Sequence, residues 1–208
     1  MAPTPLSNLC SLFSTANECP TPDTVGIYTQ GTLLADFTTV WQGLGLPQAS
    51  LDNFAKELKV FVGMDDGEAL HRLRHEYTRL FLTDNRLVMN CQGPWRGKKE
   101  GKEKVLFMVN PYSTEISDFM RYCGVVKRAG YNDSLDMLEN EWRFCSMLAQ
   151  NPQSLVDAGI DPLEKLDEFM DRFMKAWVPG FAEDVAAVTR EPYFAALAGI
   201  QADFVELY

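Results

Sequence analysis

The chain has 208 residues, 46% of them hydrophobic and 12% aromatic, enough apolar material for a substantial core and a length that one globular domain over residues 1–208 can reach. Its formal net charge of −10 excludes a nucleic-acid reader, which needs Lys and Arg in excess, and points to a cationic partner. Five cysteines without a C-x-x-C pair support neither a zinc knuckle nor a disulfide framework and fit reduced thiols; with no export signal and no apolar run of about 18 residues, the expected location is the cytoplasm, with no stable membrane insertion.

Helical periodicity recurs almost throughout. Residues 1–22 read as loose around a short helix over Leu6–Ser14, and a longer helix follows "PTPD" and runs to about Gly43. Ser50 can cap a segment with Leu51, Phe54, Leu58 and Phe61 on one face, ending at Gly63. Asp65 or Asp66 opens the next helix, where Leu70, Leu73, Tyr77, Leu80 and Phe81 fall at i, i+3, i+7, i+10 and i+11 and form one stripe. Arg72, Glu76 and Arg79 lie on its other side, and Phe81, at the helix end, is the stripe residue expected to stay open to a partner.

Residues 85–111 break the pattern and read as an irregular loop. Within it "KVLFMV", residues 104–109, reads as extended, and Arg96–Lys104 holds five positive and two negative residues and reads as solvated. Pro94-Trp95 in that loop marks a contact surface. Helices resume from Ser113 to about Tyr122 and from Ser134 to Gln150. Another starts at Asp161, with Pro162 in its first turn, and should stop near Trp177 because Pro179-Gly180 cannot continue it. Two more follow, the last from Pro192. The fold class is all-α, about ten helices and almost no strand.

Catalytic signals are thin. His71 and His75 stand one turn apart with Glu68 a turn earlier, a set that could hold a metal in a small helical hydrolase. The order is H-x-x-x-H followed by Glu, however, not the H-E-x-x-H of zinc proteases. Glu139 and Glu141, at i and i+2, point to different helix faces, and no phosphate loop or G-x-S-x-G elbow occurs. The reading is a non-enzymatic protein with no assigned catalytic residue, metal or cofactor; the alternatives are that hydrolase and an assembly adaptor for folded partners.

"EYTRLFL" (Glu76–Leu82), "LENEWRFCSMLA" (Leu138–Ala149) and "WVPGFAEDVAAVTREPYFAALAGI" (Trp177–Ile200) resemble, in order and spacing, the TorD/DmsD family of redox-enzyme maturation chaperones. The resemblance implies an all-helical chaperone, a monomer or a domain-swapped homodimer, that binds the leader peptide, usually a twin-arginine leader, or the cofactor-free form of a molybdenum-containing oxidoreductase catalytic subunit and holds it from export until the cofactor is in place. It also implies a client-binding set of Tyr77, Leu80, Phe81, Pro94 and Trp95, to which Glu141 and Trp142 of the second motif are added. The chain departs from the family pattern at Thr83, at Arg96-Gly97-Lys98-Lys99, where the family has an acidic and aromatic loop, and at Ser134-Leu135, where an Asp-His pair is expected.

Overall fold

In a computed structural model, which describes residues 3–82, 86–101, 110–127, 130 and 132–208, the described chain is helical throughout. Its one non-helical pairing is an isolated antiparallel bridge between Cys91 and Met137. Within the amino-terminal stretch, residues 5–17 form a helix. Thr4 caps it by accepting from Ser7 N at 3.0 Å, Pro5 occupies the first turn where its missing N–H costs nothing, and α1 (Pro5–Asn17) buries Leu9, Cys10 and Phe13.

The helix expected after "PTPD" is cut in two, α2 (Gly26–Thr29) and α3 (Thr32–Gly43). Gly31 sits between them at φ 77°, a left-handed conformation that ends one helix and redirects the chain into the next. Helix α4 (Gln48–Leu58) starts two residues before Ser50, after the extended Pro47, and buries the expected face of Leu51, Phe54 and Leu58, with Phe61 just beyond. Helix α5 (Asp66–Tyr77) is capped by Asp65, whose carboxylate accepts from Gly67 N and Glu68 N. A π turn over Thr78–Leu82 continues it.

Inside the stretch read as irregular lies a helix, α6 (Gln92–Lys99). Pro94 falls in its first turn, where proline is tolerated, and Arg96, Lys98 and Lys99 gather at its carboxyl end, where cations complement the helix dipole. The basic run is thus helical up to Lys99; its residues 102–104, like "KVLFMV" and Thr83, lie outside the described residues. Helix α7 (Pro111–Tyr122) is capped by Asn110, which accepts from Tyr112 N at 2.9 Å. Then come α8 (Leu138–Ala149), the short α9 (Gln153–Asp157) and α10 (Pro162–Phe169), the last capped by Asp161 as expected.

A π turn over Met170–Met174 leads into α11 (Lys175–Val188), which runs through Pro179 instead of stopping before it. The π turn lets α11 restart at Lys175, so Pro179 is only its fifth residue. Its ring and missing N–H then disturb a single carbonyl at the helix start rather than a ladder already built. Helix α12 (Pro192–Leu207) begins at the expected proline.

The chain divides into two compact units, Met1–Ser14 with Met89–Trp177, and Thr15–Val88 with Val178–Tyr208. In the first, α10 packs on α8 and α6 on α7, around Trp142 against Phe13 with ring centroids 4.7 Å apart and a chain of Phe144, Phe169 and Phe173 at 4.8 and 5.0 Å. In the second, α12 packs on α4, and the buried Tyr193 sits edge-on to Tyr28 and Phe61. Aromatic pairs in these geometries add about 1 kcal/mol each to area burial.

In the first unit Gly93 permits a tight approach of α6 to α7. A Cβ on Gly93 would collide with Ser113 Oγ and come within 2.9 Å of Asp136 Oδ2 and Ser113 N, whereas one on Gly199, inside α12, would meet nothing within 4 Å. Gly93→Ala is therefore expected to lower stability by about 2 kcal/mol through overpacking, and Gly199→Ala to raise it by about 0.5–1 kcal/mol through helix propensity. Thermal unfolding of the two variants beside the parent checks the opposite signs.

Candidate functional site

In the second unit, the face of α5 read as outward carries a buried acid. Glu76 is 2% exposed, because the turn between α11 and α12 covers it. Arg79 grips it as a fork, Nη2 at 2.6 Å from Oε1 and Nε at 2.8 Å from Oε2. Thr189 Oγ1 and Arg190 N donate to Oε1 at 2.9 and 2.6 Å, and Arg79 also reaches the Val188 carbonyl at 2.7 Å. Burial alone would raise the Glu76 carboxyl; the bonds from Arg79, Arg190 and Thr189 outweigh it and hold the group at about 2. One turn away Arg72 pairs with Glu191 at 2.8 Å.

Of the stripe on the other side of α5, Leu73, Tyr77, Leu80 and Phe81 are core and Leu70 is half-buried. Phe81 is 6% exposed, contrary to the expectation that it stays open. The π turn explains this: Leu87 N and Val88 N both return to the Leu80 carbonyl at 3.1 Å, folding the chain over the helix end. Phe81 thereby packs on Tyr77, Phe181 and Phe194 at centroid distances of 5.0, 6.1 and 6.3 Å. The hollow these rings line holds about 10 Å³, the room of a single water and not of a peptide.

The first unit is organised around a second buried acid. Asp136 accepts from Gly93 N at 2.9 Å, from Ser113 Oγ at 2.6 Å and from Ser134 Oγ, while its backbone carbonyl accepts from Gln92 N at 2.9 Å. Beside it Glu141 is fully buried with Oε2 accepting from Trp177 Nε1 at 2.9 Å, whereas Glu141 Oε1 and Gln92 Oε1 have no hydrogen-bond partner among the described residues. Burial, and then the nearby Asp136 carboxylate, push the Glu141 carboxyl well above its ordinary range against the pull of the Trp177 bond. Pro94 and Trp95 are not a loop contact surface: both are buried in α6, with the Trp95 ring 6.1 Å from Trp177 and under the Lys99 ammonium. Trp142 is fully buried.

What the first unit leaves open is a groove of about 620 Å³ lined by Met120, Val125, Val126, Lys127, Leu135, Asn140, Arg143, Phe144 and Met147. Local rules build it. Residues 140, 143, 144 and 147 fall at i, i+3, i+4 and i+7, so they form one face of α8, while Glu141, Trp142 and Cys145 turn into the core. Helix α7 ends at Gly124, φ 83°, where Gly124 N bonds the Arg121 carbonyl at 2.9 Å and Val125 N that of Met120 at 3.0 Å. This paired C-cap brings the residue after the glycine onto the last helical turn, and it places Val125 beside Met120. Val126 follows, 85% exposed, with Tyr122 63% exposed nearby in sequence; single exposed apolar residues are ordinary, but several around a concavity mark a contact surface. Sequence reasoning missed the groove. Its one signal was Leu135, an apolar residue where the family pattern has histidine.

The histidines of the alternative reading are both exposed on α5, their rings stacked with centroids 6.1 Å apart. Together with Arg74 and Arg79 they line a shallow hollow that Glu68 does not join. Among the described residues no group of three His, Cys, Asp or Glu is arranged to hold a metal ion.

The described helices of the first unit thus leave one broad groove beside α8. Residues 42–183 match the family described as nitrate reductase delta subunit, and the chain belongs to that family, in agreement with the resemblance its motifs carry. Membership makes it a molybdoenzyme maturation chaperone that interacts with a nitrate reductase-type molybdoenzyme subunit, in a family of chaperones rather than enzymes. No curated protein matches the chain. Among the described residues no helix is long and apolar enough to cross a membrane.

The two buried glutamates give opposite pH responses. The folded state holds Glu76 below the ordinary 4.5, at about 2, so its contribution is complete above 4.5 and is lost as pH falls toward 2, at about 3 kcal/mol in full. Glu76→Gln should therefore destabilise most at neutral pH and progressively less on acidification. Glu141 is raised, so the parent protein loses stability as pH climbs above 4.5 toward the folded value. Glu141→Gln removes that slope and gains on the parent as pH rises. Urea unfolding at a series of pH values reads both.

Proposed function

We propose that this protein acts in the cytoplasm as a chaperone that binds the leader peptide, the cofactor-free form, or both, of a molybdenum-containing oxidoreductase subunit, and holds it until cofactor insertion and export. The observation that carries the reading is the open groove between Met120, Val126, Leu135 and Phe144 in a member of a maturation-chaperone family. A leader is disordered when free and carries an apolar stretch; folding it as a helix into such a groove buries that stretch. The ordering cost holds affinity in a range from which the client can be released. Met120 and Met147, flexible and polarisable, let the floor repack against more than one sequence.

In this reading Tyr77, Leu80, Phe81, Pro94, Trp95, Glu141 and Trp142 serve client binding mainly as framework. Glu141 and Trp142 fix the inner face of α8, whose opposite flank carries Arg143 and the half-buried Met147, with Phe144, 3% exposed, beneath the groove. Pro94 and Trp95 set α6 against α7, which brings Met120 to the groove. Tyr77, Leu80 and Phe81 hold the second unit, and direct contact of Phe81 with a client requires its turn to open.

Calorimetric titration with the leader peptide and, separately, with the cofactor-free subunit tests the proposal. Val126→Asp, at a solvent-facing position, is expected to weaken client binding at least tenfold with the thermal midpoint unchanged within a few degrees. Phe81→Ala should do the reverse, costing about 3–5 kcal/mol of stability while the folded fraction still binds. Undiminished binding by Val126→Asp would remove the groove from the mechanism.

A further inference from the structure

We propose that the exposed face of α5, in the second unit, is a docking surface for an acidic segment of a partner polypeptide, one whose carboxylates reach Arg74 and Arg190 on either side of the histidine pair. His71, Arg74, His75 and Thr78 fall at i, i+3, i+4 and i+7 and share that face. Two hollows meet on it. One, of about 670 Å³, holds Leu70, Arg74, Thr78 and Arg79; the other, of about 270 Å³, holds Arg72, Glu76, Arg190 and Glu191. His71 and His75 line both, so the stacked imidazoles are the wall the hollows share.

The charges on this face do not cancel. Its two acids are each spent on an arginine: Glu76 lies in the Arg79 fork, and Glu191 Oε2 accepts from Arg72 Nε and Nη2 at 3.2 and 2.8 Å. Arg74 and Arg190 remain. Both are exposed, and among the described residues neither side chain has an ion-pair or hydrogen-bond partner; Arg190 joins the Glu76 network through its backbone N–H alone. At the start of α5, Asp65 caps the helix, Asp66 accepts from Thr29 Oγ1, and neither they nor Glu68 line the hollows. Four arginines against two glutamates leave the face with a surplus of two positive charges before the histidines are counted, in a chain of net charge −10.

An unpaired guanidinium takes a carboxylate through two parallel N–H donors. With one such group on each side of the histidines, the ligand must carry acids at separated points, as a polypeptide segment does and a single inorganic anion does not. Leu70 gives the larger hollow an apolar spot for an aliphatic side chain of the same segment. A nucleic acid would find only two unpaired arginines here on a strongly acidic chain. A metal ion on the histidines would lack Glu68 as a third ligand and be repelled by the arginines beside it. Exposed ion pairs are individually weak, so the affinity comes from several in one segment and is sensitive to salt.

The probe is a short synthetic peptide with paired glutamates on either side of a leucine, titrated calorimetrically into the intact protein at low salt beside the same peptide with glutamines. The glutamate peptide is expected to bind, severalfold more weakly as salt is raised, and the glutamine peptide not to bind. Arg74→Glu/Arg190→Glu should lower the affinity at least tenfold with the thermal midpoint unchanged within a few degrees, since neither side chain has a partner to lose. Val126→Asp, in the other unit, should bind the acidic peptide as the parent does, which keeps this result separate from that of the groove. No binding, equal binding of the glutamine peptide, undiminished binding by the arginine double variant, or loss of binding in Val126→Asp overturns the proposal. Tighter binding of pyrophosphate or of a single-stranded oligonucleotide at the same arginines overturns the assignment to a polypeptide.

Discussion

A carboxylate taken out of water must be met by donors, and the first unit is arranged to meet this demand at Asp136. Its three side-chain hydrogen bonds come from the start of α6, the first turn of α7 and the residues approaching α8. Satisfying one acid therefore fixes three segments at once. The groove follows, since Leu135 is the neighbour of Asp136, Met120 sits at the other end of α7, and Phe144 and Met147 lie on α8. Gly93 is the matching requirement, because only a missing side chain lets α6 approach Ser113 and Asp136 closely enough for the backbone to donate.

The second unit solves the same problem with a different acid, and the contrast is informative. Glu76 has a bidentate arginine and two further donors, so it remains charged and ties α5 to the turn between α11 and α12. Glu141 has one donor and one bare oxygen, so burial prevails and favours the neutral acid. Such a half-satisfied group contributes less to stability than a charged pair of equal burial. It does keep Trp177 and α8 in register, because the indole N–H has its partner there.

Much of the fold was legible in the sequence because caps act locally. Asp65, Asp161 and Pro192 opened the helices they were expected to open, and Leu51, Phe54 and Leu58 form the face their spacing announced. The failures were non-local. Gly31 cut a helix because its left-handed backbone suits the turn beside Val62, α6 formed because Gly93 and Pro94 dock on α7, and α11 ran through Pro179 because a π turn had just restarted the helix. Glu76 looked like surface on a helical wheel, and only the chain from Val188 to Glu191, more than a hundred residues away, makes it core.

The site was less legible than the fold, for a related reason. Large aromatics such as Phe81 and Trp95 carry the most burial energy per residue, so a fold with donors and partners to spare encloses them. Among the apolar residues left outside is Val126, which the C-cap geometry at Gly124 forces there, and others such as Val60, Leu82, Tyr122 and Leu163 lie elsewhere on the described surface. The rings that would make a wide exposed patch are held in the framework, and the groove beside α8 opens mainly through Val126 and the half-buried Val125 and Met147 over the buried Met120, Leu135 and Phe144. The charged and polar residues at its border keep the patch hydrated.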